Sequence, residues 1–189
     1  MIAIFDLETE RLVSDAAPDG RPIGWSLERR SLMGISWGCA WCSDGHFRHY
    51  DRQNLPALGR LLEEAALVVS FNGISFDVPL LSGVLERPIE IQRHCDLLAL
   101  VQRSAGRKWK LDEMVRANLP GGKSGWGGHA PQLYRDGRLA DLATYCERDV
   151  AITRDLFFLA TARGYLRSPS GGHITTPAQW VQAREEAAA

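Results

Sequence analysis

Several things are scarce in this chain, and each scarcity excludes something. No apolar run in its 189 residues approaches the roughly 20 that a helix needs to span a bilayer. No charged-then-apolar leader precedes a small-residue cleavage site. Net charge is almost absent, since 22 basic and 23 acidic side chains leave −1. That excludes a polycation gripping nucleic acid by bulk charge alone. Cysteines number only four, and a chain of this length buries enough surface to fold without a disulfide framework. No internal repeat and no linker divides the chain. The expectation is a soluble, cytoplasmic protein with reduced thiols and no membrane partner. It should form one domain over residues 1–189, with a core over about 1–165 and a C-terminal extension from about 166.

What is present is an ordinary globular mixture, 45% apolar and 24% charged, so function has to come from residue order. Met1–Phe5 is an apolar run ending in Asp6-Leu7-Glu8, which reads as a buried strand with acids at its C-terminal end. After a loop rich in Pro and Gly, Leu32–Cys42 and Gly45–Tyr50 read as a hairpin about the turn Ser43-Asp44-Gly45. Gln53–Ala66 has leucines at helical spacing, and Leu67–Val69 is a buried strand. The turn Ser70-Phe71-Asn72-Gly73 leads to a helix over Phe76–Leu85, then a brief strand over Ile89–Ile91. Helices follow over Leu97–Gln102 and Lys110–Asn118, then a glycine-rich loop over Leu119–His129. A long helix runs from Leu139 to Arg163, stopped by Gly164. Ser168–Thr176 reads as turns with one late edge strand, and Arg184–Ala189 as a frayed tail. The alternation predicts an α/β fold with a mixed central sheet, an antiparallel opening and flanking helices. Ligand sites in such sheets gather at the carboxyl ends of strands.

Acidic residues sit at those ends. Strand residues two apart face the same side, so Asp6 and Glu8 present two carboxylates together. Tyr145 and Asp149, four apart on a helix, share a face. Asp77 opens the helix that follows Asn72-Gly73-Ile74-Ser75-Phe76. Brought together, four carboxylates and a phenol would line one cleft, and the anions would raise one another's pKa values. Divalent cations answer such repulsion. With no histidine or cysteine in the set, Mg²⁺ or Mn²⁺ fits better than zinc.

Taken singly, Asp6 with Glu8 and Tyr145 with Asp149 are more often surface pairs, and Asp77 is as often a helix-start acid as a functional one. Their order is specific. Phe5-Asp6-Leu7-Glu8-Thr9, Asn72-Gly73-Ile74-Ser75-Phe76-Asp77 and Tyr145-Cys146-Glu147-Arg148-Asp149-Val150 resemble the three motifs of the DEDD superfamily of 3′–5′ exonucleases. The third motif is of the tyrosine (DEDDy) type. The stretch from Leu119-Pro120-Gly121-Gly122-Lys123 through Leu133-Tyr134 and Gly137-Arg138 resembles the branch related to the proofreading domain of family-B DNA polymerases. The resemblance implies a ribonuclease-H-like fold whose first three strands form an antiparallel meander. It also implies hydrolysis of phosphodiester bonds at the 3′ end of single-stranded DNA or RNA, releasing nucleoside monophosphates. By resemblance, Asp6, Glu8, Asp77 and Asp149 would hold two divalent cations, Asp6 bridging both, and Tyr145 would orient the attacking water. Leu7 and Thr9 would meet the terminal nucleotide through the chain around Glu8, and Asn72 and Phe76 would shape the slot for terminal bases. Glu10 departs from the pattern by placing one more negative charge beside the substrate path.

Basic residues outnumber acids between Arg103 and Arg138. Lys123 in the glycine-rich loop is the leading candidate there for a phosphate contact, with Trp109 or Trp126 to stack on an unpaired base. Cys39 and Cys42, with His46 and His49 nearby, are spaced too tightly for a zinc finger and read as core. A second reading stays open: a non-catalytic nucleic-acid-binding or scaffolding module on the same fold.

Overall fold

The computed structural model describes residues 1–120 and 130–188. It opens on β1 (Ile2–Thr9), followed after a long loop by the single helical turn α1 (Leu27–Arg30). β2 (Ile35–Cys42) and β3 (Phe47–Tyr50) form the expected hairpin, and Gly45 takes the left-handed backbone (φ 90°) that its turn demands. α2 (Leu55–Glu64) buries Leu55, Leu58 and Leu62 and leads into β4 (Leu67–Ser70). α3 (Asp77–Val84), β5 (His94–Asp96), α4 (Leu97–Ala105) and α5 (Leu111–Asn118) follow. Then come α6 (Ala130–Arg135), α7 (Leu139–Arg163), the hairpin β6 (Tyr165–Arg167) with β7 (His173–Thr175), and α8 (Ala178–Ala188).

The central sheet has the order β3-β2-β1-β4-β5. β1 is antiparallel to β2 and parallel to β4, so the sheet is mixed, as the alternation of elements implies. Helices cover both faces, and the two-residue period of β1 decides what each face receives. Ala3, Phe5 and Leu7 join Leu58, Leu62, Leu80 and Leu81 on one side. Ile2 and Ile4 join Val150, Phe157 and Ala160 of α7 on the other. Asp6 and Glu8 continue the parity of Ile2 and Ile4, so both acids emerge on the α7 face. α7 buries Cys146, Val150, Thr153, Phe157 and Ala160 at spacings of three and four, which sets Tyr145 and Asp149 at the edge of its buried stripe.

Two expectations need correction, and a third is extended. Ile89–Ile91 is not a strand: Ile89 is buried beside Gly59 of α2 and its N–H donates to Ser82 Oγ (3.1 Å). Its apolar character therefore serves helix packing, and the strand begins at His94. The tail is not frayed up to residue 188. α8 buries Trp180, whose ring lies 6.2 Å from that of Phe157, and Arg93 pairs with Glu186 to tie α8 beside β5. The late strand expected within Ser168–Thr176 is β7, paired with an additional strand, β6, that lies ahead of that stretch, and Leu166 and Ile174 enter the same core as α7. Among the described residues no helix is long and apolar enough to cross a membrane.

Candidate active site

The acids meet where β1 outruns its parallel neighbour. β4 pairs with β1 only as far as Ile4↔Val69, and beyond that point the chain turns through Asn72–Phe76 into α3. Asp77, only 4% exposed, comes to lie beside the free end of β1, and its carboxylate accepts the N–H of Leu7. From the other flank α7 brings Tyr145 and Asp149. Carboxylate oxygens of Asp6 and Glu8 and the Sγ of Cys146 lie within 4.8 Å of one another.

Burial and neighbouring charge raise all four carboxyls. Burial, then the charges of Glu8, Asp77 and Asp149, push the Asp6 carboxyl well above the usual range. Glu8 is raised by burial and by Asp149 and Asp77, against a hydrogen bond from Asp6. Asp77 is pushed up to about 7, chiefly by burial and by Asp96, while the Leu7 N–H and the Arg30 guanidinium oppose the rise. Burial and then Asp112 raise Asp149 to about 6, opposed by Arg148 and by a hydrogen bond with Tyr145. Burial also pushes the Tyr145 phenol up, with Asp149 the nearest charge acting on it, so that hydroxyl remains protonated and donates to Asp149.

Cys146 was not expected among the acids. Its thiol donates to the backbone carbonyl of Asp6 (3.5 Å) and is held well above its ordinary pKa by burial and by Asp6 and Glu8. A protonated thiol turned toward a carbonyl packs the floor of the site without adding a soft ligand. Its signal in the sequence was its place between Tyr145 and Asp149 on the buried stripe.

A cleft of about 680 Å³ opens here, lined by Asp6, Asn72, Tyr145 and Asp149 and by Lys108 through Glu113. Asn72 adopts φ 76°, a left-handed conformation that asparagine tolerates better than most side chains. It is fixed there by Asp96, which the sequence reading passed over. That carboxylate, 2% exposed, accepts the N–H groups of Asn72 (3.0 Å), Ile74 (2.9 Å) and Ala99 (3.1 Å). It thereby caps α4 and pins the turn that delivers Asp77. An Asp just before an apolar helix is the N-cap signal that could have revealed it. Arg30 holds the same turn from the far side. It is buried, donates to the Ser75 carbonyl, and sets its guanidinium 5.4 Å from the centre of the Phe76 ring.

The remaining predicted contacts are distributed unevenly. Thr9 is buried next to an irregularity in the β1–β2 register. The side chain of Leu7 lies on the opposite face of β1 from the acids, against the backbone of Gly38. Phe76 is half-buried between Trp25 and Arg30 and does not line the cleft. Lys123 and Trp126 lie outside the described residues. Trp109 is 5% exposed and covered by the Arg107 guanidinium at 4.9 Å, so its ring belongs to the core rather than to a free stacking platform. Glu10 adds little free charge, because Arg52 lies 3.8 Å from it and the Tyr134 hydroxyl donates to it. Cys39 and Cys42 are buried, and His49 is engaged by Trp37 and Glu147.

Known proteins are similar to this chain in two ways. Residues 85–169 match a family model described as a predicted 3′–5′ exonuclease related to the exonuclease domain of PolB. The chain also matches the structure of the family B DNA polymerase from the hyperthermophilic archaeon Pyrobaculum calidifontis, with a TM-score of 0.57 at 18% identity. The fold is ribonuclease-H-like. That match covers 100% of this chain but 27% of the polymerase chain, so the protein spans about a quarter of that relative's length. No curated protein matches. The segment matched by the family model holds Tyr145 and Asp149 and stops short of Asp6, Glu8 and Asp77. The convergence of the first two motifs on the third is therefore a separate observation from that match.

Proposed function

We propose that this chain is a divalent-cation-dependent 3′–5′ exonuclease of the DEDD type, tyrosine class. It would hydrolyse phosphodiester bonds at the 3′ end of single-stranded DNA or RNA and release nucleoside monophosphates. One observation carries the reading: four carboxylates from three distant segments act on one another electrostatically, and two of them, Asp6 and Asp149, line one cleft with the Tyr145 phenol. A stable protein does not gather buried like charges without something to offset them. The donors are hard oxygens, the neighbouring thiol stays protonated, and every carboxyl is held above its ordinary pKa by its neighbours and by burial. Such a set suits two Mg²⁺ or Mn²⁺ ions held by Asp6, Glu8, Asp77 and Asp149. When bound, the cations supply acidity to a water and neutralise charge on the departing 3′ oxygen.

The chain's own residues do the rest. The Tyr145 hydroxyl, protonated and already directed at Asp149, donates or accepts a hydrogen bond that orients the attacking water. It does not act as a phenolate base. Asn72, fixed at the cleft wall by Asp96, meets the terminal nucleotide, and the Thr9 backbone supports the same end of the strand. Phe76 acts through the turn that it anchors against Arg30, and Lys123 remains a candidate phosphate contact. Hydrolysis rather than group transfer follows from the absence, among the described cleft residues, of a serine, cysteine or lysine set against a base for attack.

The test uses 5′-labelled single-stranded DNA and RNA oligonucleotides with Mg²⁺ or Mn²⁺. A one-nucleotide ladder shortening from the 3′ end, abolished by chelator and by Asp6→Ala, is the expected result. Tight binding with no cleavage in either metal would instead identify the non-catalytic module.

A further inference from the structure

One segment lining the cleft together with the acids carries two lysines, Lys108 and Lys110. Gly106 ends α4 in the left-handed conformation (φ 69°), and the chain runs without regular structure through Arg107–Lys110 before α5 begins. Exposure alternates across this link: Lys108 is exposed, Trp109 is buried and Lys110 is exposed. Lys110 itself is extended (φ −68°, ψ 155°). If the link is extended at Trp109 as it is at Lys110, the Cα atoms of the two lysines lie about 6.8 Å apart; that both lysines line one cleft about the buried Trp109 is consistent with this. That is close to the separation of successive phosphates along an open single strand. Trp109, packed into the core and covered by Arg107, is the anchor that fixes this orientation.

The charges on this segment are also sorted. Glu113 is spent on the N–H of Lys110 (2.7 Å), closing the first turn of α5. Asp112 faces the acid cluster, where it raises both Asp149 and Tyr145. Lys108 and Lys110 have no carboxylate within ion-pairing distance among the described residues, yet both line the cleft with Asp6, Tyr145 and Asp149. Lysines left unpaired beside so many acids are placed for an anion from outside.

We propose that Lys108 and Lys110 form a phosphate-binding wall that takes two successive phosphates of the strand on the 5′ side of the bond cut at the acids. This rests on the exonuclease reading and assigns its substrate track, with Asp6, Asp149 and the two lysines lining one cleft. The ligand is the phosphodiester backbone itself, so the wall serves DNA and RNA alike.

The test measures binding and turnover separately. Anisotropy of a short 5′-labelled oligothymidylate is followed against the full chain carrying Asp6→Asn, with and without Lys108→Gln/Lys110→Gln, over a salt series. Each lost contact with a single strand should reduce the log–log salt slope by about 0.7 and the affinity about fivefold at 0.1 M salt. The double variant should therefore bind about 25-fold more weakly, with a slope shallower by about 1.4. Lys108→Arg/Lys110→Arg should restore the slope, which a packing role for these side chains would not do. In the chain with Asp6 intact, the double glutamine variant should raise KM and leave kcat nearly unchanged. A double variant that cleaves with unchanged KM and salt slope overturns the wall and leaves the exonuclease reading standing. Wild-type chain that produces no ladder, while the slope still falls in the variant, overturns the exonuclease and leaves the wall.

Discussion

At the scale of single residues, the site depends on hydrogen atoms staying where burial puts them. Tyr145 is the clearest case. Burial first, and then Asp149, Glu8 and Asp6, resist ionisation of its hydroxyl, so near neutral pH it serves as a donor. Tyr145→Phe removes that donor and leaves the ring and all four carboxylates in place. Turnover should fall by about 10²-fold, the scale expected when a reacting group loses its orientation. The Mn²⁺ concentration that gives half-maximal activity should scarcely move. A metal titration on the variant decides the matter, because a large weakening of metal dependence would make Tyr145 part of the cation-holding set. Cys146 shows why residue type alone misleads. A thiol within 4.8 Å of two carboxylates looks like a ligand. Its hydrogen bond to the Asp6 carbonyl and its place in the buried stripe of α7 make it a packing group.

At the scale of elements, the part of the site most exposed to disruption is the turn from Asn72 to Asp77. Asp96 accepts three backbone N–H groups there and at the start of α4, and Arg30 holds the Ser75 carbonyl from the opposite side. Asp96→Ala strands three donors, two of them in the turn that aims Asp77. It should cost about 3–4 kcal/mol in urea denaturation. Asp96→Asn, which keeps one acceptor oxygen, should recover part of the stability. Loss of stability below about 1 kcal/mol in the alanine variant would show that the turn holds itself. These elements also show what the sequence made legible. α7 was readable from Leu139 to Arg163, because its apolar stripe is long and Gly164 stops it. The convergence of Asp6, Glu8, Asp77 and Asp149 was inferable from motif order and from the two-residue period of β1. Asp96 was legible only as the N-cap of α4, and Arg30 not at all, because the turn groups they hold are backbone, whose partners have no residue code. α8 escaped because its alanine-rich end carries little periodicity, and Ile89 misled because one buried isoleucine reads the same in a strand as against a helix.

At the scale of the whole molecule, the acid cluster makes stability depend on pH and, on the proposed reading, on cations as well. In the metal-free protein Asp77 and Asp149 have folded-state pKa values of about 7 and about 6, above the ordinary 3.8, and Asp6 and Glu8 are raised as well. A group whose pKa is higher in the folded state binds more protons there, so it stabilises the fold below its unfolded pKa. That contribution is lost as pH rises through the folded value. Metal-free protein should therefore lose on the order of a few kcal/mol of stability as pH rises from about 4 to about 7. His94 pulls the other way. Burial lowers its pKa to about 4 from 6.5, so acidification through that interval favours the unfolded state. One imidazole against four carboxylates bends the curve without reversing it. Mg²⁺ or Mn²⁺ competes with the protons, so the stabilisation by either cation should grow as pH rises. At about 100 times its dissociation constant a cation adds about 2.7 kcal/mol. Thermal melts in chelator and in each metal, from about pH 5 to about pH 8, measure both effects on one protein. A melting temperature in chelator that does not fall across that range, together with no upward shift on adding either cation, would remove the physical basis for a cation-holding cluster.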